Sequence, residues 1–281
     1  MHQYGICHLP LAPMRANPDD TSEMVSQILF GQSFDILDTS NPRWTLIRCH
    51  SDFYQGYIGN KQYLPVTKEN LETLSFRRAV NKHRVRITQV GKGIKFDVPL
   101  GSELPPMKKF RFGEMEFQHN YTPASLSLAE TALSFLNAPY LWGGKTLFGI
   151  DCSGFTQTVF AAHNTWLPRD ASQQAEQGTS LPDLRHAQPG DLAFFQNNEG
   201  RVIHVGILLE NQRIIHASGC VRIDKIDEKG IFNEEIGQYT HQLHSLAHFS
   251  LSTEFFECSY VVNPQFKKAL SQRLETFGKK K

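Results

Sequence analysis

The sequence lacks any apolar run approaching the roughly 20 residues that a membrane-crossing helix needs. It also lacks an excess of charge of either sign, with 29 basic residues against 28 acidic ones and a formal net charge of +1. No broad field is available to draw in a polyanion, so neither nucleic acid nor a membrane surface is an expected partner. Close cysteine pairs are missing as well. Cys7, Cys49, Cys152, Cys220 and Cys258 are scattered, and an odd count leaves at least one thiol free. That usage suits a reducing compartment better than a disulfide scaffold. The opening residues Met1 to His8 contain neither a basic leader nor a continuous apolar segment, so no signal peptide is expected and a cytoplasmic location follows; a leader preceding the chain would make the protein secreted instead. Long low-complexity stretches are absent, and the basic end Lys279–Lys281 reads as a solvated tail rather than a binding arm.

What is present is an ordinary globular composition, 40% hydrophobic and 20% charged over 281 residues, long enough for two or three domains of roughly 100–200 residues or less. From Tyr4 to about Val66, short apolar runs at Met24–Leu29, Phe34–Leu37, Trp44–Arg48 and Gly56–Ile58 alternate with turn residues such as Gly31 and Asn41-Pro42. This spacing predicts a small antiparallel barrel over 1–66. Residues 67–120 repeat the style around Gly91, Gly101 and Gly113 and predict a second small β unit. The character then changes over 121–265. Ser127 caps a predicted helix with an apolar stripe at Leu128, Ala132, Leu133, Phe135 and Leu136, and a second helix begins near Cys152 and runs through Phe155, Val159 and Phe160. Strands follow at Asp191–Phe195, Val202–Leu209, Arg213–Ala217 and Glu257–Val262. Helices first and an antiparallel sheet afterwards define an α+β domain, with 266–281 left as a tail.

The sharpest local feature is Tyr140-Leu141-Trp142-Gly143-Gly144 followed by Asp151-Cys152-Ser153-Gly154-Phe155. A cysteine in the first turn of a helix faces unpaired N–H groups and the positive end of the macrodipole, which favour its thiolate. Asp151 and Ser153 can accept from the same free amides, and Gly154 would let a substrate backbone approach closely. Against this stands the commoner fate of a free cysteine, a small buried apolar residue. A nucleophilic thiol needs a base, and His204 and His216 lie on predicted adjacent strands. One can take the thiol proton while the other orients it through the remaining ring nitrogen. Cys152, His204 and His216 also suit a metal by ligand type, but their spacing fits no compact zinc pattern, so neither metal nor cofactor is expected. Eight other histidines, His2, His8, His83, His163, His186, His241, His244 and His248, suggest no constellation.

Six motifs in order carry a resemblance: Pro139-Tyr140-Leu141-Trp142-Gly143-Gly144, Asp151 to Phe155, Pro168-Arg169-Asp170, Gln188-Pro189-Gly190-Asp191-Leu192, Arg201 to Gly206 around His204, and His216-Ala217-Ser218. In them, residues 121 to about 264 resemble the NlpC/p60 cell-wall peptidases, a papain-like group. The resemblance implies an α+β core with Cys152 as nucleophile, His204 as base and His216 as the polar third residue. It implies cleavage of the bond made by the side-chain carboxyl of D-glutamate in peptidoglycan stem peptides, through a thioester acyl-enzyme. The Cys152 N–H and the Tyr140 hydroxyl would then face the oxyanion.

The front half resembles the bacterial SH3-like modules that precede such peptidases in a subgroup cutting γ-D-glutamyl-diamino acid bonds. There the module restricts the cleft to short peptides with a free N-terminal L-alanine. Ser22-Glu23-Met24-Val25 and Phe53 to Tyr57 match its motifs. The resemblance implies that Glu23 and Asp151 pair with the substrate ammonium, that Tyr54 and Trp142 line the pocket with Ser153, and that Arg169, with Asp170 and Ser172, binds the α-carboxylate of D-glutamate. The family often has serine where this chain has Ala171. The expected partner is a small murein peptide, and the expected role is wall recycling. The competing readings are a secreted endopeptidase acting on intact wall, a non-hydrolytic wall-fragment binder, and an acyltransferase passing the thioester to an amine.

Overall fold

A computed structural model describes residues 3–72, 77–78, 84–122 and 125–251. Residues 3–66 form one antiparallel sheet of seven strands: β1 (Tyr4–Ile6), β2 (Leu11–Arg15), β3 (Met24–Leu29), β4 (Ser33–Asp38), β5 (Trp44–Cys49), β6 (Gln55–Gly59) and β7 (Leu64–Val66), in spatial order β3-β2-β6-β5-β4-β1-β7. Alternation buries Ala12, Met14, Ile28, Phe34, Ile47 and Ile58 in one core. Strand β2 escapes a sequence reading because it holds Pro13, which has no N–H for a ladder. Here β2 pairs fully with β3 and meets β6 only at Arg15↔Tyr57, so Pro13 lies where one flank of the strand carries no partner.

A single helical turn, α1 (Lys68–Glu72), leads to a four-stranded sheet of β8 (Arg84–Gln89), β9 (Ile94–Pro99), β10 (Lys109–Phe112) and β11 (Met115–His119), in order β9-β8-β11-β10. This second unit shares its core with the first barrel, since Ile6, Phe30 and Val66 pack with Val85, Ile87, Phe110, Phe112 and Phe117. The Phe30 ring lies 5.3 Å from Phe112 and 5.5 Å from Phe117.

The remaining described residues form the α+β domain. Helix α2 (Leu128–Leu133) opens with a capping box in which Ser127 and Glu130 satisfy each other's backbone N–H. It stops at Ser134, and Asn137 takes a positive φ of 65°, so Leu133 and Leu136 stay exposed at 38% and 41% instead of extending the expected stripe. Helix α3 (Cys152–Ala162) is buried along its whole length, and the short α4 (Ala171–Ala175) follows. Against them stand β12 (Thr179–Leu181), β13 (Leu192–Gln196), β14 (Val202–Leu209), β15 (Arg213–Ser218), β16 (Cys220–Asp227), β17 (Gly230–Asn233) and β18 (Gln238–His248), in order β12-β18-β13-β14-β15-β16-β17.

An additional β17–β18 pairing closes six of these strands into a barrel. Leu192, Phe194, Val205, Ile207 and Ile215 face the helices. The alternate residues Ala193, Phe195, Leu208, Ile214, Ile226 and Ile231 fill a second core. Strands β16, β17 and β18 were not expected from sequence, because their solvent-facing positions leave too few apolar residues to reveal the alternation. The strand expected at Glu257–Val262 and the tail over 266–281 lie outside the described residues, as do Cys258, His2 and His83.

Candidate active site

Asp151 is the N-cap of α3. Its Oδ1 accepts the Gly154 N–H at 2.6 Å and its Oδ2 the Gly143 N–H at 2.8 Å. The Arg169 guanidinium completes the set, donating to Asp151 Oδ1 at 3.0 Å and Oδ2 at 2.5 Å, to Ser153 Oγ at 3.0 Å and, through Nε, to Ser26 Oγ at 3.1 Å. Asp151, Ser153 and Arg169 are only 5%, 6% and 2% exposed. Two expectations are corrected here. Arg169 is not open to a substrate carboxylate, since a protein carboxylate and two hydroxyls already occupy it. Asp151 is not open to a substrate ammonium for the same reason. A third correction concerns Gly154, where a Cβ would fall 2.3 Å from the Gly144 carbonyl oxygen. The missing side chain admits the Gly143-Gly144 loop, not a substrate.

Cys152 follows at the first helical position, 6% exposed. Burial pushes its thiol up to about 11, the Asp151 carboxylate adds to that, and the N–H groups of Val205 and Ser153 and the Arg169 charge pull the other way. The Val205 contact places the thiol beside the backbone of β14, at the residue that follows His204 in the chain. Cys152 and His204 form no hydrogen bond to each other here, a looseness typical of cysteine–base pairs before substrate closes them. Tyr140 is held by the same centre. Burial first, then the neighbouring Cys152 and Asp151, push its phenol up to about 12, so at neutral pH it is a hydrogen-bond donor.

The sheet side is a chain of contacts. The β14–β15 ladder runs from Leu209↔Arg213 to Gly206↔His216 and ends there. His204 Nε2 lies 2.8 Å from His216 Nδ1, and His216 Nε2 lies 3.0 Å from Asp224 Oδ2. Arg222 grips the same carboxylate at 2.8 and 3.0 Å. His204, His216 and Asp224 are all buried. Burial, and then His216 and His241, hold His204 well below the usual histidine value, so it is a neutral imidazole at pH 7.

Two residues of this group of contacts were given no role by the sequence reading, Asp224 and His241. His241 of β18 stacks on His204 with ring centroids 4.1 Å apart and planes 26° apart, and burial lowers it to about 4. The expectation that His241 joins no constellation is thereby corrected. The short alternation Val221-Arg222-Ile223-Asp224, broken at Lys225, is the local signal near Asp224 and is too brief to mark a strand; for His241 there was none.

His204, His216 and His241 offer ring nitrogens within 4.8 Å of one another. A metal there would have to break the 2.8 Å His204–His216 contact and turn a ring out of the stack, because lone pairs lie in the planes of the rings and stacked planes do not converge on one ion.

The first barrel borders this centre. Trp142 Nε1 donates to Glu23 Oε1 at 2.5 Å, Tyr54 Oη to Asp170 Oδ1 at 3.3 Å, and Gln157 Nε2 to Asp52 Oδ2 at 2.9 Å. Gly143, with φ of 78°, packs so tightly on β3 that a Cβ would lie 2.1 Å from the Met24 carbonyl oxygen. Glu23 is exposed and Trp142 is 61% exposed. Asp170 is half-buried, and burial raises its carboxyl against the pull of Arg169 and Tyr54. Ser172 is exposed on α4.

A helix-borne cysteine set against a histidine-bearing antiparallel sheet, behind an all-β front region, defines an α+β protein of papain-like type. Residues 137–240 match the NlpC/P60 family and residues 14–62 match the bacterial dipeptidyl-peptidase SH3 domain. The chain thus carries an NlpC/P60 domain behind an SH3-like all-β region.

It is similar to a gamma-D-glutamyl-L-lysine dipeptidyl-peptidase of Bacillus cereus, 38% identical over 121 residues, which cover 41% of this chain and 36% of that protein. A Bacillus subtilis protein of the same name is 41% identical over 92 residues, covering 32% of this chain and 31% of that one. The matched stretches therefore span about a third of these relatives' lengths. Dipeptidyl-peptidase 6 of Lysinibacillus sphaericus is 24% identical over 253 residues, covering 78% of this chain and 90% of that protein. Among solved structures, an NlpC/P60 family protein from Bacillus cereus shares the fold, with a TM-score of 0.74 and 20% identity over 89% of this chain and 100% of that one.

Proposed function

We propose that the chain is a cysteine peptidase that hydrolyses the γ-D-glutamyl–diamino acid bond of peptidoglycan stem peptides bearing a free N-terminal L-alanine, in cytoplasmic wall recycling. The observation that carries the reading is the 2.8 Å His204–His216 contact, set beside a cysteine that starts a buried helix. Neutral His204 takes the Cys152 proton as sulfur attacks the γ-carbonyl. The oxyanion is met by the Cys152 N–H and the Tyr140 hydroxyl. His204 then protonates the departing amine, leaving a thioester that water hydrolyses. The names of the Bacillus relatives support the bond class.

The gate for the free N-terminus rests on the carboxylates that border the first barrel. Asp151 is taken by Arg169, which leaves Glu23, held by Trp142, and Asp170, held by Tyr54, as the carboxylates available to a cation. An ammonium left uncompensated in a closed pocket costs ~3 kcal/mol or more. Purified protein given L-Ala-γ-D-Glu-diaminopimelate and its N-acetylated form is expected to release L-Ala-D-Glu from the free peptide alone, and Glu23→Gln is expected to raise KM or to relax that selectivity. Equal cutting of both forms by the wild type would remove the gate.

A further inference from the structure

The line of contacts continues past the third residue. Asp224 sits on β16, diagonal to His216 across the β15–β16 ladder, where His216 pairs with Arg222 and Ile214 with Asp224. Asp224 is 4% exposed, and among the described residues its two oxygens bond two groups, His216 Nε2 at 3.0 Å and the Arg222 guanidinium at 2.8 and 3.0 Å. Burial acts to raise the carboxyl, but the hydrogen bonds of His216 and Arg222 outweigh it and hold Asp224 below its ordinary value. An ionised carboxylate only accepts hydrogen bonds.

We propose that Asp224 is a positioning residue that fixes the tautomers of two rings at once, so that His204 keeps Nδ1, the nitrogen that His216 does not meet, as its single basic nitrogen. This rests on the peptidase reading for its meaning and on the observed contacts for its geometry. The carboxylate requires the hydrogen of His216 on Nε2. The Nε2–H tautomer of His216 has only a lone pair on Nδ1, so in it the 2.8 Å contact to His204 Nε2 is donated by His204. With its one hydrogen on Nε2, neutral His204 keeps its lone pair on Nδ1. The opposite tautomers would put an N–H on that nitrogen and remove the base. Asp224 touches neither the thiol nor any group that attacks substrate, so it acts through two rings in series.

Asn is the informative replacement. Its amide can donate to His216 Nε2, which moves the His216 hydrogen to Nδ1, reverses the 2.8 Å contact and puts the His204 hydrogen on Nδ1. Arg222 is not orphaned, since it also meets Glu235 at 3.1 Å. By analogy with triads in which an amide replaces the orienting carboxylate, kcat is expected to fall by roughly a hundred- to ten-thousand-fold with KM little changed.

The test is ring-nitrogen NMR of protein labelled with 15N histidine, with His204→Gln and His216→Gln variants assigning the signals, alongside peptide kinetics. Expected are Nε2–H forms for both rings in the wild type, and Nδ1–H forms with the stated loss of kcat in Asp224→Asn at an unchanged melting temperature. A wild-type His204 carrying its hydrogen on Nδ1 would overturn the proposal, and this outcome is readable even if Asp224→Asn does not fold. So would Asp224→Asn that keeps kcat within about twofold, or that loses kcat with both tautomers unchanged. If the wild type turns over no stem peptide, the peptidase reading fails while the tautomer result still decides the role of Asp224.

Discussion

On the helix side of the cleft, Asp151, Ser153 and Arg169 direct their side-chain bonds at one another, at Gly154, at the loop before them and at Ser26 of β3. On the barrel side, His204, His216 and Asp224 form an open line that ends in one uncommitted ring nitrogen. The first arrangement is saturated and can only hold Cys152 in place. The second has a free end and can move a proton. Side chains that look equally chemical in the sequence thus divide into scaffold and machinery once their partners are counted.

The largest effects should come from the groups that react. Cys152→Ala is expected to abolish turnover while peptide binding, measured by calorimetry, persists. His204→Ala should come close to it. Wild-type turnover in either variant would dissolve the distinction between the two sides.

Next in size is a break on the scaffold side. Arg169→Ala leaves the Asp151 carboxylate buried without its counter-charge, and such losses cost about 3–5 kcal/mol. Urea unfolding should register that loss as a lower midpoint. Stability within about 0.5 kcal/mol of wild type would mean that the ion pair is not structural.

The pH dependence separates the two sides more finely. Neutral His204 is the active form, and burial sets its pKa below 6.5. The rate should therefore be full at neutral pH and fall only as pH drops through that lowered value. The thiol, raised to about 11, contributes no ionisation near neutrality. An acid limb of kcat/KM centred above 6.5 would contradict the burial argument.

The smallest effect belongs to His241. His241→Ala should admit water to His204, weaken its desolvation and shift the acid limb upward. His241→Phe should leave the limb in place, because an aromatic pair worth about 0.5–1.5 kcal/mol is retained. Equal behaviour of the two variants would show that the stack does not matter.

The same contrast explains what could be read from the sequence. Asp151-Cys152-Ser153-Gly154 is contiguous, and its capping chemistry is local, so the start of α3 falls where its residues predict. Val202–Leu209 and Met24–Leu29 were legible for a similar reason, since apolar and β-branched residues dominate them. Arg169 was misjudged because an arginine beside a motif says nothing about what neutralises it, and its partner Asp151 is brought to it only by tertiary packing. Asp224 and His241 escaped because β16 and β18 carry polar residues on their outer positions and enter the site through barrel closure. Trp142 meets Glu23 across 119 residues of chain, a pairing that no local pattern encodes.

The central claim is that Cys152 carries the acyl group, and it is tested most directly by quenching the reaction with L-Ala-γ-D-Glu-diaminopimelate in acid and mapping the protein by mass spectrometry. An L-Ala-D-Glu thioester on the peptide containing Cys152, absent from Cys152→Ala, is the predicted result. Turnover with no adduct at Cys152, or with the acyl group on another residue, would contradict it.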